Sequence, residues 1–316
     1  MEFGAFFVGQ RPQLHEQYDD EHKVNPNPVS RTDVEVYEDI LKGAELAEEL
    51  GFDSVWIAEH AFSEHSIISS PHSLLAAIAA RTKKVKIGVA CTIVPWHAPL
   101  RLAQDLATID IISGGRLVVG AGRGYQKREF DVYGIDIAES RDRFVEGMDI
   151  AIKAWTEERF AYNGQFFSFP EVMVIPKPVQ KPHPPIWIGG HTGPAIRRAA
   201  KLGDGWMPIG LRPPAVLEPE EMAAKIAQLR RATVRAGRPE DAVEVAFGTG
   251  VTFGDSPPQS GQMVSGRPEQ IADDLRRYQG LGVKNFILGF PGDTVTALRE
   301  NMEKFSRQVM PLIPQD

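Results

Sequence analysis

A carboxylate and an imidazole stand side by side where the second predicted strand ends. Glu59 and His60 follow the apolar run 54–58, and in an α/β barrel that position faces the mouth where ligands bind. An imidazole there can exchange protons near neutral pH. We therefore interpret His60 as a catalytic acid–base residue and Glu59 as a cofactor-binding residue. The alternative is a histidine that only bonds a neighbouring carboxylate.

A metal site is the other interpretation of this segment, because Glu64 and His65 follow closely. The order Glu-His-x-x-x-Glu-His matches neither His-Glu-x-x-His nor His-x-x-Glu-His, the two helical metalloprotease patterns. We therefore expect no metal here.

A glycine-rich segment with one arginine follows the fourth predicted strand. It runs GRLVVGAGRGY over residues 115–125. It lacks the full G-x-G-x-x-G and an immediately following helix, so a dinucleotide fingerprint is not indicated. Glycines let a flat ring or a phosphate approach the backbone, and Arg123 supplies a guanidinium that pairs with an anion. A tight turn with a structural arginine is the alternative.

A second glycine pair ends the fifth predicted strand. The run Gly190, His191, Thr192, Gly193 leads into a helix, and the free N–H groups and positive dipole of a helix start favour an anion. Thr192 fits either an N-cap or a phosphate ligand, and the sequence does not separate the two. Cys91, at the end of the third strand, is expected to be a wall of the pocket rather than a nucleophile.

The elements that position these residues alternate along the chain. Strands are expected at residues 2–8, 54–58, 85–91, 116–121, 186–189, 205–208, 243–253 and 285–289. Helices are expected at residues 33–50, 71–81, 98–113, 138–156, 192–202, 219–236, 267–281 and 294–310. Eight strand–helix units favour a (β/α)8 TIM barrel, a single domain over residues 1–316, over an open doubly wound sheet of about five or six strands.

Three excursions interrupt the alternation, after the first, fourth and seventh strands. Residues 160–185 combine alternating aromatics with six prolines, a pattern that predicts a hairpin followed by an extended strap. Residues 9–31 and 254–266 follow strands directly, and loops in that position lie at the mouth of a barrel. We expect these two segments to act as lids.

Composition narrows the class of protein. The chain has 316 residues with 35 Lys plus Arg against 42 Asp plus Glu, a formal charge of −7, and no dense basic run, which argues against nucleic-acid binding. Its single cysteine excludes an intramolecular disulfide. Neither a signal peptide nor a bilayer-length apolar run is visible. We expect a cytoplasmic protein without membrane contact.

Several motifs in order resemble the bacterial luciferase-like family of flavin-dependent monooxygenases. They are Phe3-Gly4-x-Phe6, Glu48-x-x-Gly51-Phe52-Asp53-x-Val55-Trp56, Glu59-His60-x-Phe62-x-Glu64, residues 88–95, Gly115-Arg116, Arg123-Gly124 and Met310-Pro311. Their order and spacing look like those of the luciferase α subunit over much of the chain. The resemblance is specific for the family and says much less about the substrate.

The resemblance implies roles by position. His60 matches the active-site histidine that assists reaction of reduced flavin with dioxygen. Ala90 and Cys91 match a pair that packs on the flavin ring, joined in the luciferase by a non-proline cis peptide. Arg123 matches a flavin-phosphate arginine, and His191 with Thr192 falls where the luciferase places polar phosphate contacts.

Two departures from the luciferase bear on light emission. Gly122 replaces its reactive cysteine, and the lid after the seventh strand is only residues 254–266. Light emission from a long-chain aldehyde is therefore not expected. Only the shared flavin chemistry carries over.

The function implied is a flavin-dependent monooxygenase that uses reduced FMN and dioxygen to oxygenate a small organic substrate. A separate flavin reductase would supply the reduced flavin transiently. The alternatives are a deazaflavin (coenzyme F420)-dependent hydride-transfer oxidoreductase on the same barrel and a catalytically silent flavin-binding protein. Relatives pair through helices beside the second and third strands, so a homodimer through helices 71–81 and 98–113 is expected.

Overall fold

Parallel strands close into a barrel in the computed structural model, which describes residues 1–10, 31–62, 66–210, 216–254, 264–292 and 295–314. The strands in chain order are β1 (Glu2–Phe7), β2 (Ser54–Ile57), β3 (Lys86–Val89), β4 (Thr92–Ile93), β5 (Leu117–Gly122), β6 (Phe160–Asn163), β7 (Ser168–Val172), β8 (Ile186–Gly189), β9 (Gly205–Met207), β10 (Glu244–Phe253), β11 (Val264–Gly266) and β12 (Asn285–Gly289). The ring β1-β2-β3-β5-β8-β9-β10-β12 is parallel throughout, and β12 pairs again with β1. The predicted (β/α)8 barrel is confirmed.

Helices cover the outside of this barrel. In chain order they are α1 (Asp33–Glu49), α2 (Pro71–Arg81), α3 (Pro99–Ser113), α4 (Lys127–Val132), α5 (Ser140–Thr156), α6 (Gly193–Leu202), α7 (Pro219–Arg235), α8 (Pro268–Gly280) and α9 (Val295–Lys304). Local signals set their ends: Thr32 and Glu35 form a capping box before α1, and Gly114 ends α3 in the left-handed region with φ +67°. The short helix α4 was not predicted.

Two tryptophans fill the interior of the barrel. Trp56 and Trp187 stack with ring centroids 5.3 Å apart. A Cβ at Gly88 would lie 2.4 Å from the Trp56 ring, and one at Gly205 would lie 2.4 Å from Trp187. Glycine at these two strand positions therefore makes room for both indoles. Because the interior is packed with side chains, a ligand site is left to the mouth at the carboxyl ends of the strands.

The third strand is shorter than predicted. It stops at Val89 rather than Cys91, and the two-residue strand β4 then continues alongside β5. Ala90 and Cys91 lie between β3 and β4 and belong to neither of these strands, although the Ala90 N–H still donates to the Ile57 carbonyl of β2 at 2.8 Å. This break is decided by contacts with β2 and β5, described below, which the apolar pattern of residues 85–91 does not encode.

The three excursions lie partly within the described residues. β6 and β7 form the predicted antiparallel hairpin, and the strap that follows has cis prolyl bonds before Pro176 and Pro182. Residues 11–30 and 255–263, which hold most of the two predicted lids, lie outside the described residues. Within the ranges given above, no helix has both the length and the apolar character that a membrane crossing requires.

Candidate active site at the barrel mouth

His60 lies at the carboxyl end of β2, and a carboxylate from a distant segment holds it. Its Nδ1 is 3.1 Å from Oε1 of Glu129 and 3.2 Å from the side-chain nitrogen of Gln126. The same Glu129 oxygen accepts the backbone N–H of Ala61 at 2.9 Å. Glu129 is 2% exposed, so its charge is shielded from water and directed at the imidazole. The ring of Tyr125 meets that imidazole edge-on, with centroids 6.2 Å apart.

The neighbouring Glu59 does not contact His60 through its side chain. Its buried carboxylate accepts the N–H of Ile93 at 2.5 Å and lies 2.8 Å from Nε2 of His97. These bonds tie the end of β2 to β4, which explains why the chain turns after Val89. The carboxylate that contacts His60 is therefore Glu129 and not its chain neighbour Glu59. The catalytic role of His60 stays a prediction. The role of Glu59 as a cofactor-binding residue stays a prediction.

A second histidine lies behind Glu59. The rings of His97 and His72 are 5.1 Å apart, and Nε2 of His72 is 3.2 Å from the Thr92 hydroxyl. Burial lowers the pKa of His72 to about 4, against an opposing effect of the Glu59 carboxylate. His72 is therefore neutral at physiological pH, and the segment behind the mouth is held by polar contacts that the sequence did not reveal.

Ala90 and Cys91 form one edge of the barrel mouth, which we call the Ala90–Cys91 edge. It packs against β5 and β8 at positions where these strands carry glycine. The peptide bond between the two residues is cis. A Cβ at Gly189 would be 2.2 Å from the Cys91 sulfur, and one at Gly122 would be 2.8 Å from the Cys91 Cβ. Burial, then the Glu59 carboxylate, raises the pKa of the Cys91 thiol to about 12. The thiol stays protonated, which agrees with a pocket wall and not with a nucleophile.

The glycines at the carboxyl end of the fourth barrel strand, β5, serve this packing. A Cβ at Gly120 would lie 2.0 Å from the carbonyl oxygen of Val89, so both Gly120 and Gly122 admit the neighbouring chain. The exposed Arg123 follows directly after β5. Close approach of a flat ring to these glycines stays a prediction. The Val89 carbonyl of β3 lies beside Gly120, and the Cys91 side chain lies beside Gly122.

A half-buried arginine on α6, Arg198, lies within electrostatic reach of Arg123. The pKa of Arg198 on α6 is lowered by burial and then by the positive charges of Arg123, Arg141 and Arg197. The Arg198 guanidinium lies over the Phe144 ring, 5.4 Å from its centroid. Its buried Nε has no hydrogen-bond partner among the described residues. A desolvated donor within a cationic cluster fits an anionic ligand. The sequence reasoning missed Arg198, because a helical arginine carries no local signal of burial.

The start of α6 adds backbone donors to this cluster. Thr192 occupies the N-cap position, but its side chain makes no capping bond, which favours the phosphate-ligand alternative. Gly190 adopts φ +104°, and the Lys225 ammonium donates to the His191 carbonyl at 3.1 Å. Burial, then the charge of Lys225, lowers the pKa of His191. The first-turn N–H groups, including that of Gly193, are of the kind that can bind an anion at a helix start.

The metal interpretation gains no donors from the structure. The described residues hold no group of three or more His, Cys, Asp and Glu side chains placed to bind a metal ion. Glu64 and His65, which that interpretation also used, lie outside them.

The fold brings the predicted site residues to one end of the barrel. His60, the Ala90–Cys91 edge, Arg123 and residues 190–193 follow β2, β3, β5 and β8 respectively. Glu129 and Gln126 complete the site from α4 and the residue before it. The molecule is thus a (β/α)8 barrel whose mouth brings together a histidine–carboxylate contact, an apolar edge and the N-terminus of α6, a candidate ligand site.

The chain belongs to the luciferase-like monooxygenase family, whose sequence model matches residues 1–260. The expectation from the motifs is thereby confirmed. Among curated relatives, the oxygenase component of a flavin-dependent trigonelline monooxygenase of Acinetobacter baylyi is 33% identical over 160 residues, 50% of this chain and 44% of that protein. An FMNH2-dependent dimethylsulfone monooxygenase of Pseudomonas putida is 33% identical over 179 residues, 54% and 48% of the two chains.

An alkanal monooxygenase alpha chain of the Kryptophanaron alfredi symbiont is 28% identical over 204 residues, 64% and 52% of the two chains. The chain thus spans about half the length of the curated relatives it matches.

Solved structures cover the whole fold. The monooxygenase RslO1 from Streptomyces bottropensis superposes with TM-score 0.82 at 26% identity, over 98% of this chain and 99% of that one. An F420-dependent secondary alcohol dehydrogenase gives TM-score 0.79 at 18% identity, over 99% of each chain. The oxygenating constituent of 3,6-diketocamphane monooxygenase of Pseudomonas putida, in complex with FMN, gives 0.79 at 18%, over 100% and 99%. These last two likenesses concern the fold alone.

Proposed function

We propose that this chain is the oxygenase of a flavin-dependent monooxygenase system. It takes reduced FMN from a separate flavin reductase and uses dioxygen to oxygenate a small organic substrate. The observation that supports this most directly is the shared mouth of the imidazole–carboxylate pair, the Cys91 edge and the cationic start of α6. Relatives named as flavin-dependent monooxygenases support the same reaction class.

The cluster around α6 fits the phosphate of FMN. Arg198 offers a buried Nε that lacks a partner within the described part of the chain, and Thr192 offers a hydroxyl that caps no N–H. Arg123 adds an exposed guanidinium whose charge acts on Arg198. A phosphate dianion would satisfy the buried donor and neutralise the mutual repulsion of the arginines, which is why the site favours a phosphorylated cofactor.

The Cys91 edge fits the flat ring of the same cofactor. Cys91 and Phe6 pack on the apolar cluster inside the barrel, so the surface offered to a ligand is neutral and apolar. Reduced flavin, when bound, supplies the electrons that activate dioxygen. The protein's contribution at this edge is to support the ring and to limit the access of water to it.

His60 holds and moves the proton. With Nδ1–H donated to the Glu129 carboxylate, 3.1 Å away, Nε2 is the basic nitrogen of the imidazole. That nitrogen can take a proton from, or give one to, the reacting group near neutral pH. Glu129 acts through His60: it fixes the ring and stabilises the imidazolium. Glu129 is therefore a positioning residue, and His60 is the proposed catalytic residue.

Anaerobic titrations with reduced FMN, reduced riboflavin and reduced F420 test the cofactor assignment. We expect reduced FMN to bind, and Arg123→Ala to weaken it about 10–100-fold, because a charge-assisted bond of about 1.5–3 kcal/mol is lost. Riboflavin, which lacks the phosphate, should bind Arg123→Ala nearly as it binds the wild type. Arg299→Ala, which removes a helical arginine paired with Glu303, is the matched control.

Equal losses for FMN and riboflavin would contradict the phosphate assignment. Mixing the reduced FMN complex with dioxygen and a panel of organic substrates then tests the reaction class. Oxygenated product is expected. Preferred binding of F420 with hydride transfer would replace the proposal, and FMN binding without oxygen-dependent turnover would indicate a silent flavin-binding protein.

A further inference from the structure

A basic groove lies on the outer surface between α6 and α7. Its volume is about 620 Å³. The described residues that line it include no acidic side chain; they are Arg197, Lys201, Ala224, Gln228, Arg231, Ala232, Arg235 and Ala236. We call these eight residues the α6–α7 groove. A local excess of four positive charges is unexpected on a chain whose formal charge is −7.

None of the four cations of the groove makes a salt bridge to a described residue, whereas other helical cations do. Lys225 pairs with Glu221 at 3.3 Å, and Arg276 pairs with Asp273 at 2.6 Å. Lys201 and Arg235 lie in the last turns of their helices, where a cation stabilises the helix dipole. Arg197 and Arg231 lie one turn earlier, so stabilisation of the helix dipole does not explain their positions.

The cations form two parallel ridges with a low floor between them. Arg197 and Lys201 are four residues apart on α6, as are Arg231 and Arg235 on α7. Charges in each pair are thus about 6 Å apart along the axis, and packed helices lie about 8–10 Å apart. The floor is the i, i+4 stripe Ala224, Gln228, Ala232 and Ala236. Small floor residues allow a third helix to approach closely.

We propose that the α6–α7 groove docks an acidic helix of a partner protein. Carboxylates at i and i+4 on such a helix repeat at the same spacing of about 6 Å as each cationic ridge. A helix lying between two others uses the shallow floor, as in helix-in-groove recognition. A single phosphate would neutralise only part of an array of about 6 by 8–10 Å. The upper end of the groove reaches α6 near Gly193, whose added Cβ would lie 3.5 Å from Arg197.

Fluorescence anisotropy with a labelled synthetic helix tests this docking. The probe is a helical peptide with glutamates at i, i+4 spacing, and a second peptide has the same composition with the glutamates on alternating faces. We expect the first peptide to bind the full-length protein more tightly, and the double variant Arg231→Gln, Arg235→Gln to lose about tenfold in affinity. The double variant Arg299→Gln, Arg307→Gln removes the same charge from α9 and the following turn, and it should bind the peptide normally.

Other outcomes would overturn the proposal. Equal losses in both double variants, or equal binding of the two peptides, would mean only nonspecific charge attraction. Inorganic triphosphate that binds the groove more tightly than the peptide and competes with it would indicate a small-anion site instead. FMN titration of each variant reports separately on the mouth, so a failure here leaves the proposed function untouched.

Discussion

His60 and Glu129 are sixty-nine residues apart in the chain, and their contact decides how the imidazole can act. A histidine in water would sample both tautomers, and a carboxylate beside Nδ1 favours the one that carries its proton there. Glu129 is itself held by the Ala61 N–H. The contact therefore orients the imidazole ring on which the proposed proton transfer depends.

The role of His60 can be measured directly. We expect His60→Ala to keep the fold and FMN binding while substrate oxygenation falls about 10²–10⁴-fold, the range of general acid–base catalysis. Hydrogen peroxide released per oxygen consumed should rise, because oxygen reduction then becomes uncoupled from transfer to the substrate. A limb of the pH–rate profile in the histidine range should also disappear.

The variant Glu129→Gln distinguishes the role of Glu129 from that of His60. It should lower oxygenation less than His60→Ala does, since the ring keeps a hydrogen-bond acceptor. If instead His60→Asn keeps most of the activity and the pH limb, His60 only packs at the mouth. The measurement is product and peroxide yield across pH for each variant.

At the scale of elements, the edge after β3 depends on glycines in two neighbouring strands. Ala90 and Cys91 leave the sheet, β4 rejoins it beside β5, and Gly122 and Gly189 give Cys91 its space. The same edge is fastened from β2 by the Glu59 carboxylate. The shape of the mouth is thus built from four strands that each contribute a contact.

Gly189→Ala tests this packing. The new methyl group would lie 2.2 Å from the Cys91 sulfur, so the edge must shift, at a cost of about 1–3 kcal/mol in the free energy of unfolding. Cys91→Ala removes the sulfur, and in that background Gly189→Ala should cost much less. Urea unfolding of the four proteins measures the coupling.

Gly280→Ala is the control for this cycle, because nothing lies within 4 Å of its added Cβ. It should not lower stability, and because Gly280 is helical it is expected to raise the free energy of unfolding by about 0.4–1 kcal/mol. If Gly189→Ala costs the same with and without the Cys91 sulfur, the packing explanation is wrong.

Helix α2 contributes a histidine that makes stability depend on pH. The folded pKa of His72 is lowered from 6.5 to about 4. Below pH 6.5 the unfolded chain therefore takes up this proton before the folded one does. The stability contribution is complete above pH 6.5 and is lost as pH falls toward 4, by at most about 3.5 kcal/mol at about 1.4 kcal/mol per pH unit.

We expect His72→Gln to lose less stability than the wild type between pH 7 and pH 4.5. Urea unfolding at the two pH values and at one protein concentration gives the comparison. His183→Gln, in the strap, is the control and should lose as much as the wild type. An equal loss in His72→Gln and the wild type would contradict the role of burial.

At the scale of the whole molecule, α2 and α3 are the surface on which we expect a homodimer. The two helices pack against each other, and α3 exposes Ile111 and Ile112 at 44% and 46% of their surface. Adjacent exposed isoleucines favour burial in an interface. Sedimentation of the wild type at micromolar concentration should give a dimer, and Ile112→Arg should give a monomer, because a charge would be buried.

Val234→Arg is the control for the dimer, since Val234 is a comparably exposed apolar residue, on α7. It should leave the dimer intact. A monomeric wild type, or a dimer that survives Ile112→Arg and dissociates with Val234→Arg, would overturn this choice of surface.

The barrel, and the residues that lie at its mouth, could be predicted from the sequence. Alternating apolar strands, capped helices and glycines after strands are local signals, and local periodicity and backbone propensity encode them. His60, Arg123 and residues 190–193 were found in this way, because polar residues at the ends of parallel strands must meet at one end of a barrel.

The side chains that contact these residues follow from the tertiary structure and not from the local sequence. Glu129 rather than Glu59 contacts His60, Arg198 joins Arg123, and the glycines of β5 and β8 make room for Cys91. Each of these contacts joins segments far apart in the chain. The side chains involved are ordinary helix or strand residues until packing buries them, so their roles are set by desolvation and distance, which no local pattern of sequence records.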